Sequence, residues 1–211
     1  MELLDLLDLR NIDINKVEQR FEEIAKLLFQ QYQIEKGKDI YEFLEIEFYH
    51  YAEYHEDIIT YPRNIKKGKW FFHDSGVDIS FESKCDNVNL SSKTRKPDKD
   101  YFGGILIRSL LKNGNELITG PQKCSWFLFD YLDAFGDSDS NLPIIKKRDS
   151  EKDQIVLKTN RYIPIKEDNA KLRFGDNYHI FAEYNEKSYR YYIKHAQWDD
   201  IKKSNYSARP W

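Results

Sequence analysis

LEIEFYHYAEYH, residues 44–55, reads as the strand around which the rest of the chain is built. Side chains alternate across a strand. Leu44, Ile46 and Phe48 therefore share one face, and Glu45, Glu47, Tyr49 and Tyr51 share the other. The first is a core face. The second sets carboxylates beside tyrosines, more polar chemistry than a packing strand needs. The stretch GGILIRSL, residues 103–110, behaves in the same way. Ile105 and Ile107 point to one side, Leu106 and Arg108 to the other. An arginine in so apolar a strand is costly to bury without an anionic partner. Gly103 and Gly104 permit close backbone approach.

Working outward, residues 15–35 carry Val17, Phe21, Ile24, Ala25, Leu28 and Tyr32 at helical spacing. Asn15 is the expected cap with Glu18 three residues on, and Gly37 the expected stop. Residues 53–70 and 85–100 read as loops around a strand over 76–83, with Val77, Ile79 and Phe81 on one side. Gly120-Pro121 opens a helix to about 135, ending at Gly136. Its aromatic residues Trp126, Phe127, Phe129, Tyr131 and Phe135 read mostly as core. The last third suggests strands over 154–158, 161–165, 178–184 and 188–194, the final pair as a hairpin around Asn185-Glu186. The expected class is α+β: a single domain over 1–211 with a curved, mostly antiparallel sheet flanked by helices.

Composition narrows the function classes. In 211 residues, 33% are charged and 40% hydrophobic, as in a soluble globular domain with one substantial core. No apolar run approaches the roughly 18 residues of a membrane helix. The opening MELLDLLDLRN lacks the pattern of a signal peptide. Cys85 and Cys124 form no C-x-x-C pair, so reduced thiols, no structural zinc and a bacterial-type cytosol or nucleoid are the expectation. His50 and His55 are five residues apart, not the four of a helical metal pair, so no metal is expected. The net charge of −3 weighs mildly against nucleic-acid binding, yet basic runs stand at 63–69, 93–99 and 146–148.

An ordered set of motifs then resembles the alkyladenine (methylpurine, or 3-methyladenine) DNA glycosylases. The set is Glu45-Ile46-Glu47-Phe48-Tyr49, His55, Pro62-Arg63-Asn64, Phe72-His73-Asp74-Ser75-Gly76, Gly104-Ile105-Leu106-Ile107-Arg108-Ser109 and Gly120-Pro121. Arg161-Tyr162-Ile163, residues 189–193 and Trp198 resemble the family's closing strands, so the resemblance spans about 41–198. It implies a monofunctional DNA base-excision glycosylase that hydrolyses the N-glycosidic bond of alkylated or deaminated purines, without a cofactor. Damaged double-stranded DNA is the implied partner, with no membrane, and a monomer is expected.

The resemblance also implies roles. Glu47 activates water, and Arg108 helps to hold that water and the sugar-phosphate. Tyr49, His55 and Phe81 stack on the flipped base, while Arg63 and Lys84 meet the nucleic-acid backbone. Each has a plainer alternative. Glu47 and Arg108 form a structural ion pair, Tyr49 is a sheet-surface tyrosine, His50 replaces His55, Phe81 is core, and Arg63 is a turn residue bonded to nearby carbonyls. Where the family carries an apolar wedge, this chain reads Glu82-Ser83-Lys84-Cys85, which leaves Asn87, Val88, Asn89 and Leu90 as substitutes. These departures open two alternatives: a binding module that does not excise, and a glycosidic hydrolase acting on nucleotides or RNA.

Overall fold

The computed structural model describes residues 2–88, 96, 98–130, 142–161, 163 and 165–195. Its centre is β2 (Asp39–Ala52), paired along most of its length with β6 (Phe102–Lys112). Beyond β6 come β5 (Gly76–Ser80) and the edge strand β4 (Trp70–His73), with β7 (Glu116–Thr119) on the other half of the same β6 edge. The opposite edge of β2 is shared by β1 (Tyr32–Lys36), β3 (His55–Glu56) and β10 (Arg190–Ile193). β8 (Ile144–Lys147) extends β1, and β9 (Val156–Thr159) extends β10. The ten strands form one sheet, and the named strand pairs among the described residues are antiparallel. With its helices this is the expected α+β arrangement.

One sheet face is the main core. α2 (Val17–Gln31) lays Phe21, Ile24, Ala25 and Leu28 onto it, all fully buried. The Phe21 ring stacks on Phe48 at 4.5 Å. Each such large apolar side chain contributes roughly 1.5–3 kcal/mol on burial. α1 (Leu3–Leu6) closes one end through Leu3 and Leu6.

Several sequence expectations are corrected. α2 follows a 3-10 turn over Ile14–Lys16, where the Asp13 side chain accepts from the Asn15 amide; Asn15 is not the cap. The helix stops before Tyr32, which already belongs to β1. Gly37, at φ +58°, makes the tight turn between β1 and β2 instead. β4 and β7 complete hairpins that the sequence pattern does not predict. α3 (Pro121–Phe129) starts where expected, but Trp126 is 77% exposed. Tyr131, Phe135 and Gly136 lie outside the described residues.

Residues 178–184 are not a strand. α4 (Glu167–Phe174) and α5 (Tyr178–Asn185) form a helical pair, and Phe174 and Phe181 stack at 4.6 Å in a second small core with Tyr51, Ile58 and Phe102. β10 therefore pairs with β2 and β9, not with residues 178–184. Nor do residues 161, 163 and 165 belong to a strand. No helix among the described residues is long and apolar enough to cross a membrane.

Candidate functional site

Strand register places the polar groups. Asp78 pairs with Leu106, Leu106 with Glu47, and Glu47 with Arg190. Cross-strand partners point to the same sheet face, so this row crosses four strands on the face away from α2. Alternation puts Glu45 and Arg108 on that face as well, where the pairing is irregular on either side of Glu45.

Glu47 has no exposed surface. The Tyr49 hydroxyl donates to its Oε1 at 2.5 Å, and Arg108 Nη1 lies 2.8 Å from its Oε2. Arg108 Nε also donates to Glu45 Oε1 at 3.2 Å. Glu45 accepts in addition from Ser109 Oγ at 2.8 Å and from Arg190. Two carboxylates and two arginines thus interlock in a buried layer, each charge meeting an opposite one. Burial, reinforced by the Glu47 charge, pushes the Tyr49 phenol well above its usual range and keeps it a donor.

Above this layer lies a cavity of about 630 Å³, within the size range of small-molecule sites. Tyr49, Leu106 and Arg108 form its floor. Tyr61, His73 and Ser75 stand on one side, the start of α3 from Gly120 to Lys123 on another, and Ile163, Ile165, Phe174 and Phe181 on a third. Tyr61 and His73 stack at 4.5 Å. Lys123 and Arg173 are exposed cations on the lining.

The residues expected from sequence separate into two groups. Tyr49, Arg63 and Arg108 line the cavity, and Glu47 accepts from the Tyr49 hydroxyl and is ion-paired with Arg108. His55 and Phe81 do not line it. His55 is 3% exposed, facing the His50 carbonyl through Nδ1 and the Tyr189 hydroxyl through Nε2. Phe81 is fully buried and stacks with Phe21 and Phe48. Both belong to the α2 side of the sheet, because Phe81 continues the Val77–Ile79 alternation. His55 and Phe81 therefore do not face the cavity, where Tyr61 and His73 stand instead. His50 is no substitute, being 2% exposed among Tyr54, His55 and Phe81.

Arg63 also lines the cavity but is only 1% exposed. Its Nε donates to the Tyr61 carbonyl at 3.1 Å, its Nη2 meets Asp78 at 2.7 Å, and its guanidinium lies 3.9 Å over Phe71. Gly104 makes room for it: a Cβ there would come within 2.7 Å of Arg63 Nη1. Lys84 is exposed, in a bridge with Tyr101 and outside the cavity lining. Of the basic runs, Lys66 pairs with Glu82, Lys146 with Glu35 and Arg148 with Glu42. Val88 is exposed and Asn87 partly buried, whereas Asn89 and Leu90 lie outside the described residues, as does Trp198.

Sequence reasoning gave no role to Asp78, Tyr61, His73 or Arg161, although His73 and Arg161 stand in the quoted motifs. Asp78 had a signal: it is the lone acid in a buried strand, on the face opposite Val77 and Ile79. Arg161 forms a fully buried double contact with Asp57 at 2.7 and 3.2 Å. Its guanidinium sits 4.9 Å from the centre of the Tyr49 ring, supporting that ring from a segment far along the chain. No group of three or more His, Cys, Asp or Glu among the described residues is arranged to hold a metal ion. Compared with family models, with curated proteins and with solved structures, the chain matches none.

Proposed function

We propose that the protein is an N-glycosyl hydrolase that takes a single damaged purine nucleotide of duplex DNA into this cavity and releases its base. One observation carries the reading: Tyr49, hydrogen-bonded to the fully buried Glu47, and Arg108, ion-paired with it, both line the cavity. A ligand that takes over the Tyr49 hydroxyl would uncover the carboxylate. Glycosidic cleavage passes through an oxocarbenium-like sugar. A carboxylate beside it accepts the proton of the attacking water and balances the positive charge. Arg108 is ion-paired with Glu47 and reaches the cavity where a sugar-phosphate would sit. Aromatic walls offset part of the cost of unstacking the base. The ordered motifs that resemble methylpurine glycosylases support the same reading, with Tyr61 and His73 as walls in place of His55 and Phe81.

The seal on Glu47 favours a second reading, a module that binds a modified nucleotide without excising it. Duplexes carrying hypoxanthine, ethenoadenine or 7-methylguanine, and the corresponding free nucleotides, separate the possibilities. Base release from duplex supports the proposal. Binding without release over many hours supports the module. Release from free nucleotide alone moves the substrate out of DNA. Steep weakening of duplex binding with salt is expected in the first case.

A further inference from the structure

One donor on the cavity side of the sheet has no partner. The Arg63 guanidinium is fixed on three sides: Nε on the Tyr61 carbonyl at 3.1 Å, Nη2 on Asp78 at 2.7 Å, and its face on the Phe71 ring at 3.9 Å. Nη1 is buried and has no hydrogen-bond partner among the described residues. It lies 2.7 Å from the position of the Cβ that Gly104 lacks. Gly104 pairs with Tyr49 in β2 and with Ser80 in β5. Cross-strand partners share a face, so Nη1 is on the Tyr49 side of the sheet, where Tyr49 and Arg63 both line the cavity. Ser80 is buried on that side too, its hydroxyl likewise unpaired. Buried polar groups in native proteins are nearly always paired, so this stretch of the site lacks an occupant.

The chemistry of that occupant follows from what Arg63 already has. A guanidinium donates and never accepts. Its charge is met by Asp78. A phosphate at Nη1 would set a second anion beside that carboxylate, and like charges in a buried site repel. A neutral carbonyl oxygen completes the guanidinium without a second anion. An amino group would bring donor against donor. Tyr61 also ties the guanidinium to the aromatic wall, since its carbonyl holds Nε and its ring stacks on His73. We infer that Arg63 sets the specificity of the cavity: Nη1 donates to the carbonyl oxygen of a 6-oxopurine and disfavours the amino group of a 6-aminopurine. The inference names the substrate class of the site proposed above and rests on that reading for its nucleotide.

The test crosses two bases with the wild type and two variants. One duplex carries hypoxanthine and the other purine, the same base without the oxygen at position 6. Equilibrium binding and single-turnover release are measured for wild type, Arg63→Lys and Gly104→Ala. Arg63→Lys keeps a cation opposite Asp78 but loses Nη1, whereas Gly104→Ala crowds Nη1 and leaves Arg63 in place. Dividing one base by the other cancels general damage to the fold, and comparing enzymes cancels the intrinsic difference between the bases. The wild-type binding preference for hypoxanthine should fall about 10- to 100-fold in Arg63→Lys, the effect of one hydrogen bond to a charged group. Gly104→Ala should lower it in the same direction. No such preference in wild type, or an equal preference in all three proteins, overturns the role of Arg63 while base release leaves the glycosidic reading standing; a bound water then satisfies Nη1. The expected loss of preference without release from either duplex by wild type keeps the role of Arg63 and overturns the glycosidic reading. Binding no tighter than to undamaged duplex overturns both.

Discussion

Arg108 Nη1 lies 2.8 Å from Glu47 Oε2, and this pair joins the cavity floor to a carboxylate with no exposed surface. Removing one side leaves a buried charge unmatched, which costs about 3–5 kcal/mol. Arg108→Ala is expected to fall in that range by urea unfolding. Glu47→Gln, which keeps the shape and can still bond Tyr49, should cost less, though it leaves Arg108 with Glu45 alone among these two acids. Equal, negligible losses in both variants would mean that the pair is not formed.

Tyr49 adds a charge-assisted hydrogen bond to the same acid. Tyr49→Phe deletes only the hydroxyl, and hydrogen bonds to charged groups contribute about 1.5–3 kcal/mol. A stability loss of that order is expected, with a fold unchanged by circular dichroism. A variant as stable as wild type would show that Glu47 does not depend on the phenol.

Gly104 is needed for space, not for an unusual backbone angle. A Cβ would come within 2.7 Å of Arg63 Nη1 and 3.0 Å of both the Asp78 Cβ and the Ile79 carbonyl oxygen. Gly104→Ala is expected to lose roughly 1–3 kcal/mol, the usual range for overpacking. Thermal unfolding of the variant checks this, and an unchanged midpoint would contradict the contact.

The fold was legible where a buried element kept one period. In β2, Leu44, Ile46 and Phe48 are core and the glutamates lie opposite, as alternation required. The α2 stripe was equally plain. Failure came where the period changes without punctuation: Tyr32 fits the helical spacing of Phe21 and Leu28, yet it starts a strand. Residues 178–184 carry β-prone Tyr, Ile and Phe, but packing on Phe174 selects a helix, and strand propensity yields to such context. Of the candidate site, Glu47, Tyr49 and Arg108 were readable because alternation along β2 and along β6 sets them on polar positions of otherwise apolar strands. Asp78, His73 and Arg161 join them only through register and through contacts distant in sequence. His55 and Phe81 were misplaced because motif order carries no information about which sheet face a ring occupies.

The buried histidines make stability depend on pH. Burial lowers the pKa of His50 well below the usual 6.5, helped by neighbouring His55, and burial lowers that of His55 as well. The unfolded chain therefore binds more protons than the native one near these values, so stability rises with pH. The contribution is fully present above about pH 6.5 and is lost as pH falls from there towards the lowered folded values. Urea midpoints at about pH 7.5 and about 5.5 should differ in this direction. The difference should shrink in His50→Leu. An unchanged difference would assign the pH dependence to other groups.

We propose Glu47 as the base of a glycosidic site. This is tested most directly by single-turnover base release from a hypoxanthine duplex at low salt, comparing wild type with Glu47→Gln. Release by wild type is expected, with a loss of at least about 10²-fold in the variant and duplex binding retained. Release by the variant at the wild-type rate would contradict it.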